Sequence, residues 1–169
     1  MELLAKLRAK PQSLYQAHQI AWDIIRRNNG DDRFVFRVVD DLMKVRSVSF
    51  EIGRKPIVPE AGKKYRLDIL FDPVTTDGKR LKRISVREKA IEKIRQSLEK
   101  RGFEVEKIDG AYCDPIPLGK PGLQEVYMLP FLATGDVFVK DGKLAEEAFW
   151  HGVGKSKRFG FGMIELEAL

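Results

Sequence analysis

The chain has 169 residues, 43% of them hydrophobic, with 31 Lys and Arg against 25 Asp and Glu and a formal net charge of +6. That length suits one large domain or two small ones, and the apolar share excludes wholesale disorder. No apolar run approaches the roughly 20 residues of a membrane span, and the charged start Met1-Glu2-Leu3-Leu4-Ala5-Lys6 does not read as a secretory signal. A single cysteine, Cys113, excludes an internal disulfide and fits a reducing cytoplasm. With only two histidines, far apart in sequence, neither a metal site nor any other cofactor is expected. The basic balance favours a polyanion, because Lys and Arg displace counterions condensed on phosphates.

Residues 2–8 alternate loosely and predict an opening strand. Ser13 and Gln16 form a capping box for a helix that runs to about Arg27 and stops at Asn28-Asn29-Gly30. Its apolar stripe is Leu14, Ala17, Ala21, Ile24 and Ile25. Strands are predicted over Arg33–Val39 and Leu42–Phe50, separated by Asp40-Asp41. A loop carries Pro56 and Pro59; a strand follows over Tyr65–Phe71 and ends at Asp72-Pro73, with a turn signal over Thr75–Gly78. Ser85 and Glu88 form a second capping box, with Val86, Ala90, Ile91, Ile94 and Leu98 as the apolar face and Gly102 as the stop.

Phe103–Ile108 reads as a strand, residues 109–124 as a long loop rich in proline and glycine, and 125–139 as one long or bent strand. A short helix over 143–151, a glycine-rich loop and a last strand near 161–166 complete the chain. The order predicts an α+β protein of two tandem ferredoxin-like (RRM-like) domains with antiparallel sheets. Residues 1–78 form the N-terminal domain and 79–169 the C-terminal one. The second helix of the first half is not visible in the pattern.

The most specific signal is Gly152-Val153-Gly154-Lys155-Ser156-Lys157-Arg158-Phe159-Gly160-Phe161-Gly162. Glycines around a Lys-Ser-Lys-Arg core let backbone N–H groups approach phosphates. A Rossmann fingerprint and a P-loop both follow a strand and open a helix, whereas this loop follows a helix and opens a strand. Gly152, Gly154, Lys155, Ser156, Lys157, Arg158, Gly160 and Gly162 are therefore candidate phosphate contacts. Lys79, Arg80, Lys82 and Arg83, tandem cations on an extended segment, suit the spaced phosphates of an RNA stem. The helix that follows adds cations that a solvated polar face explains equally well.

Tyr15 and His18 lie on adjacent turns of the first helix, at the border of its apolar stripe, and Trp22 continues that side. Imidazole transfers protons near neutral pH, and RNA self-cleavage needs a base for the 2′-hydroxyl and an acid for the 5′-oxygen. By itself a Tyr-x-x-His on a helix is more often structural than catalytic. His151 reads first as a cation favoured by a helix C-terminus, and second as a further proton carrier.

Several segments together resemble the CasE family of the RAMP superfamily, the repeat-processing endoribonucleases of type I-E CRISPR systems. They are Leu14 to Trp22, Phe34 to Val38, Val45-Arg46-Ser47, Leu70-Phe71-Asp72-Pro73 with Gly78-Lys79-Arg80, Gly135 to Val139, and Gly152 to Gly162. Phe71-Asp72-Pro73 stands where the family has Ala-Asn-Pro. The resemblance implies His18 as the main general acid/base, Tyr15 as its catalytic companion, and Lys155 and Lys157 on RNA phosphates. It implies metal-independent cleavage of CRISPR precursor RNA at a repeat stem-loop, leaving a 2′,3′-cyclic phosphate and a 5′-hydroxyl. The implied partners are that RNA and the subunits of the Cascade complex, with no membrane. A non-cleaving guide-RNA-binding RAMP subunit explains the loop and the charge equally well; it leaves the Tyr15/His18 pair unexplained.

Overall fold

The computed structural model describes residues 1–169 except Asp32, Gly78, Lys79, Lys120, Pro121, Leu123 and Gln124. The expected contact at Lys79 lies outside the described residues. Strand β1 (Glu2–Lys6) leads to helix α1 (Leu14–Arg27), and strands β2 (Phe34–Val39) and β3 (Leu42–Ser47) form a hairpin. The Ser13 hydroxyl accepts from the Gln16 N–H, but the Gln16 amide oxygen accepts from the Gln12 N–H, so only half of the expected box forms. Leu14, Ala17, Ala21 and Ile25 are the buried positions of α1, at helical spacing. Ala17, Ala21 and Ile25 pack on Phe36, Met43 and Val45, alternate residues of the three-stranded antiparallel sheet β1-β3-β2.

Where a complete ferredoxin-like unit would add a helix and a fourth strand, residues 48–63 run irregularly. Arg54 touches the edge of β1 through reciprocal N–H to C=O bonds with Glu2, each 2.8 Å.

The second unit is complete. Strand β4 (Lys64–Phe71) precedes a hairpin of β5 (Val74–Asp77) and β6 (Arg80–Arg83), then helix α2 (Arg87–Glu99) and strand β7 (Phe103–Tyr112). The short strands β8 (Ile116–Pro117) and β9 (Tyr127–Met128) pair with each other, and β10 (Phe131–Val139), helix α3 (Gly142–His151) and β11 (Ile164–Ala168) follow. The four-stranded antiparallel sheet has the order β11-β4-β10-β7. With α2 and α3 in the two crossovers, this is the split β-α-β arrangement expected of a ferredoxin-like domain. The chain is thus α+β, with two tandem ferredoxin-like units of which the first is reduced.

Some local expectations shift. β4 pairs with β10 and β11, so it belongs to the second sheet, whereas a division after residue 78 follows the local turn signal and leaves it in the first. Thr75, Thr76 and Asp77 are themselves strand residues, paired with Lys82, Leu81 and Arg80. Helix α2 begins after Val86 with no side-chain cap, instead of the Ser85 box. Residues 109–112 extend β7, and the expected single strand over 125–139 is broken between Met128 and Phe131, where Pro130 lends its carbonyl to the Cys113 N–H at 2.8 Å. Among the described residues no helix is long and apolar enough to cross a membrane.

The sheet faces turned away from the helices meet each other. Arg37 and Lys44 of the first sheet pair with Asp68 and Glu165 of the second. Arg46, only 2% exposed, donates to Glu2, to the Phe149 carbonyl at 3.0 Å and to the Ile164 carbonyl at 2.8 Å. Its guanidinium lies 3.6 Å from the centre of the Phe149 ring. One buried cation therefore ties β3 to α3 and β11, the two elements between which the glycine-rich loop is strung.

Candidate active site

The loop leaves α3 at Gly152 and crosses to β11 through one 3₁₀ turn, Lys157–Phe159. Its two ends are zipped: the Val153 N–H donates to the Gly162 carbonyl at 2.8 Å, and the Gly162 N–H to the Leu70 carbonyl at 2.7 Å. Gly162 has φ +78, and a Cβ there would lie 2.0 Å from the Val153 carbonyl oxygen, so only glycine closes the loop. At Gly160, φ +88, a Cβ would press to 3.0 Å from the Phe36 ring of the first unit.

These glycines shape the loop more than they serve a ligand. The N–H groups of Gly152 and Gly160 donate to the Ala148 and Lys157 carbonyls. With Gly162 committed to Leu70, three of the four amides expected at phosphate are taken inside the protein. Among the described residues, the amides of Gly154 to Arg158 donate to no protein acceptor, and the cations lie in that stretch. The Lys155 ammonium donates to the Thr76 hydroxyl of β5 at 2.7 Å. Lys157 and Arg158 face two pockets at once.

The first pocket, about 620 Å³, is lined by His18, Trp22, Arg33, Phe34, Glu147, His151, Lys157 and Arg158. Here α1 meets the loop. The His18 ring stacks on Phe34 at 6.3 Å between centroids and meets Phe159 of the loop edge-on at 6.4 Å. Trp22 stacks on Phe34 at 5.6 Å. His18 is thus held by aromatic rings from both units and is only half-buried. Its Nδ1 is buried without a hydrogen-bond partner. Burial lowers the His18 pKa; the Arg158 main chain opposes this shift and the Arg158 charge adds to it. Burial thus favours the neutral form of the ring.

The second pocket, about 590 Å³, lies across the loop against the β5–β6 hairpin. Val74, Leu81, Met128 and Phe159 give it apolar walls, and Arg83, Lys155, Lys157 and Arg158 add charge. Asp72 lines it as well. The Ser156 hydroxyl donates to Asp72 Oδ2 at 2.6 Å, whereas Oδ1 is buried with no partner. Burial pushes this carboxyl up from the ordinary aspartate range, against the Ser156 hydrogen bond and the Arg83 charge, which pull it down. Arg80, Lys82 and Arg83 are exposed along β6.

The structure therefore brings His18 together with Lys157 and Arg158, and sets Lys155 and Ser156 beside the hairpin that carries the other cations. Tyr15 does not line the His18 pocket; its N–H donates to the Leu118 carbonyl at 2.9 Å. His151, read first as a helix-end cation, closes the last turn of α3 and also lines that pocket. Sequence reasoning missed Arg33, Phe34, Glu147 and Phe159 as pocket walls, and Asp72 as a partner of the loop. In the sequence Asp72 is marked by the Asp-Pro step that ends a strand and by its departure from the family's Ala-Asn-Pro, neither of which points to the loop. Among the described residues, no three His, Cys, Asp or Glu side chains gather as metal ligands.

No family model and no curated protein matches the sequence. Solved structures do match in shape. Cas6e from Escherichia coli str. K-12, a CRISPR-associated protein, superposes with a TM-score of 0.79 at 17% identity, over 100% of each chain. The chain has the fold of Cas6e and Cse3. Thermus thermophilus Cse3, bound to an RNA representing a pre-cleavage complex, gives 0.75 at 16% identity over 98% of each chain. A chain of a CRISPR RNA-guided surveillance complex gives 0.72 at 15% identity over 99% of each. The Cas6e/Cse3 fold thus covers both units, including the reduced first one. At these identities it establishes shape, and chemistry rests on the residues just described.

Proposed function

We propose that this chain is an endoribonuclease that cuts CRISPR precursor RNA at repeat stem-loops by general acid/base catalysis, without a metal. One observation carries the reading: a partly buried imidazole shares an open pocket with two cations of the glycine-rich loop. In this reading a 2′-oxygen attacks the adjacent phosphorus while His18 takes its proton. The bond from phosphorus to the 5′-oxygen breaks, leaving a 2′,3′-cyclic phosphate and a 5′-hydroxyl whose proton comes from solvent through the open pocket. Lys157 and Arg158 offset charge on the phosphorane, and the fixed loop holds the phosphate in line. Tyr15, one turn earlier on α1, is the catalytic companion of His18, orienting the reacting groups or helping with the proton. Lys155, Ser156 and the unclaimed loop amides hold a neighbouring phosphate; Arg80, Lys82 and Arg83 grip the stem.

The solved neighbours support the substrate class, since one is a CRISPR endoribonuclease Cse3 bound to a 19-nucleotide RNA and another belongs to a surveillance complex. In this reading the chain stays on its product as a subunit of such a complex, in the cytoplasm. Incubation with candidate repeat hairpins in EDTA, followed by mapping of the product ends, tests the proposal. A cyclic-phosphate end supports it; a need for divalent ions, or a 3′-hydroxyl product, defeats it.

A further inference from the structure

The loop's cations point two ways, and one residue at their centre sets the split. Ser156 sits between Lys155 and Lys157 with φ +61, a left-handed conformation that a non-glycine residue holds only where its surroundings fix it. What fixes it is the side-chain bond to Asp72. Asp72 follows the last residue of β4 and precedes Pro73, both of them buried, and is itself 2% exposed, so its carboxyl is held by the sheet. Lys155, one residue before, is tethered to Thr76 on the hairpin; Lys157, one residue after, lines the His18 pocket as well as the hairpin one.

We propose that Asp72 is a positioning residue for the reaction: it latches Ser156 so that the chain reverses there and delivers Lys157 and Arg158 to the phosphate beside His18. The rate consequence rests on the nuclease reading above; the latch itself does not. Asp72 touches no reacting atom and acts through the loop.

The test uses the whole chain in four variants, D72A, S156A, D72N and the D72A/S156A double, with and without a repeat hairpin. Single-turnover cleavage, hairpin affinity and deuterium uptake across residues 153–160 are measured. D72A and S156A should each slow cleavage by roughly tenfold or more, as expected when a charge is displaced by a fraction of an ångström; in D72A, which removes no group assigned to RNA, hairpin affinity should change by less than about threefold. The double variant should be no slower than either single one, because both remove the same bond. D72N keeps an oxygen acceptor for Ser156 and should restore the rate to within about threefold of wild type. Uptake should rise in the loop of D72A and S156A and stay unchanged elsewhere.

Wild-type rates and loop exchange in D72A and S156A would overturn the proposal, as would additive losses or a D72N as slow as D72A. If D72A unfolds, loop exchange in RNA-free S156A decides, since that variant leaves the buried carboxyl in place and the readout needs no phosphate contact. If wild type itself cuts no hairpin the nuclease reading fails, and loop exchange still decides the latch.

Discussion

Removing the Arg46 guanidinium tests the claim that one buried cation braces both ends of the glycine-rich loop. In Arg46→Met the Glu2 carboxylate, whose side chain is 7% exposed, is left without its partner, and the Phe149 and Ile164 carbonyls lose their donor. Breaking a buried pair from one side costs about 3–5 kcal/mol. In a chain of this length that amounts to a fall in Tm of roughly 6–20 °C. The double variant Glu2→Leu/Arg46→Met removes the stranded charge and should recover part of the loss, leaving about 1–3 kcal/mol for the orphaned carbonyls. Urea unfolding of wild type, both single variants and the double variant measures each quantity and the coupling between them. A loss below about 1 kcal/mol for Arg46→Met, the scale of an exposed pair, would refute the reasoning. So would a double variant less stable than Arg46→Met.

Two further expectations concern the reaction. Because burial lowers the His18 pKa, the acid limb of kcat/KM for hairpin cleavage should lie below the ordinary histidine value of 6.5. The stability that the neutral ring contributes is present above that value and is lost as pH falls through the lowered pKa. An acid limb centred above 6.5 would contradict this. Replacing Arg80, Lys82 and Arg83 together by alanine should flatten the salt dependence of hairpin binding by about two to three units of slope, if each meets one phosphate; an unchanged slope would show that the hairpin does not touch RNA.

Helices α1 and α2 announced themselves in the sequence because their apolar periodicity coincides with what they bury: Ala17, Ala21 and Ile25 in one, Ala90, Ile94 and Leu98 in the other. The border position of His18 was legible for the same reason, since a residue beside a buried stripe is held yet reachable. Sheet membership was not. Tyr65, Leu67, Ile69 and Phe71 show the alternation of a half-buried strand, but alternation names a face and not a partner, so β4 could not be assigned to β10 and β11 from its own residues. The glycine run declared a tight loop without saying which amides its own closure consumes. Asp72 was invisible as a functional residue because its meaning comes from Ser156, distant in sequence and 2.6 Å away in space.

The most direct measurement is cleavage of a cognate repeat hairpin in EDTA by wild type and by His18→Ala, with binding of the same hairpin measured in parallel. Wild type should release a product ending in a 2′,3′-cyclic phosphate, and His18→Ala should bind with similar affinity and cut at least roughly a hundredfold more slowly, the scale of a lost general base. Undiminished cleavage by His18→Ala, or activity only when a divalent ion is restored, would contradict the account.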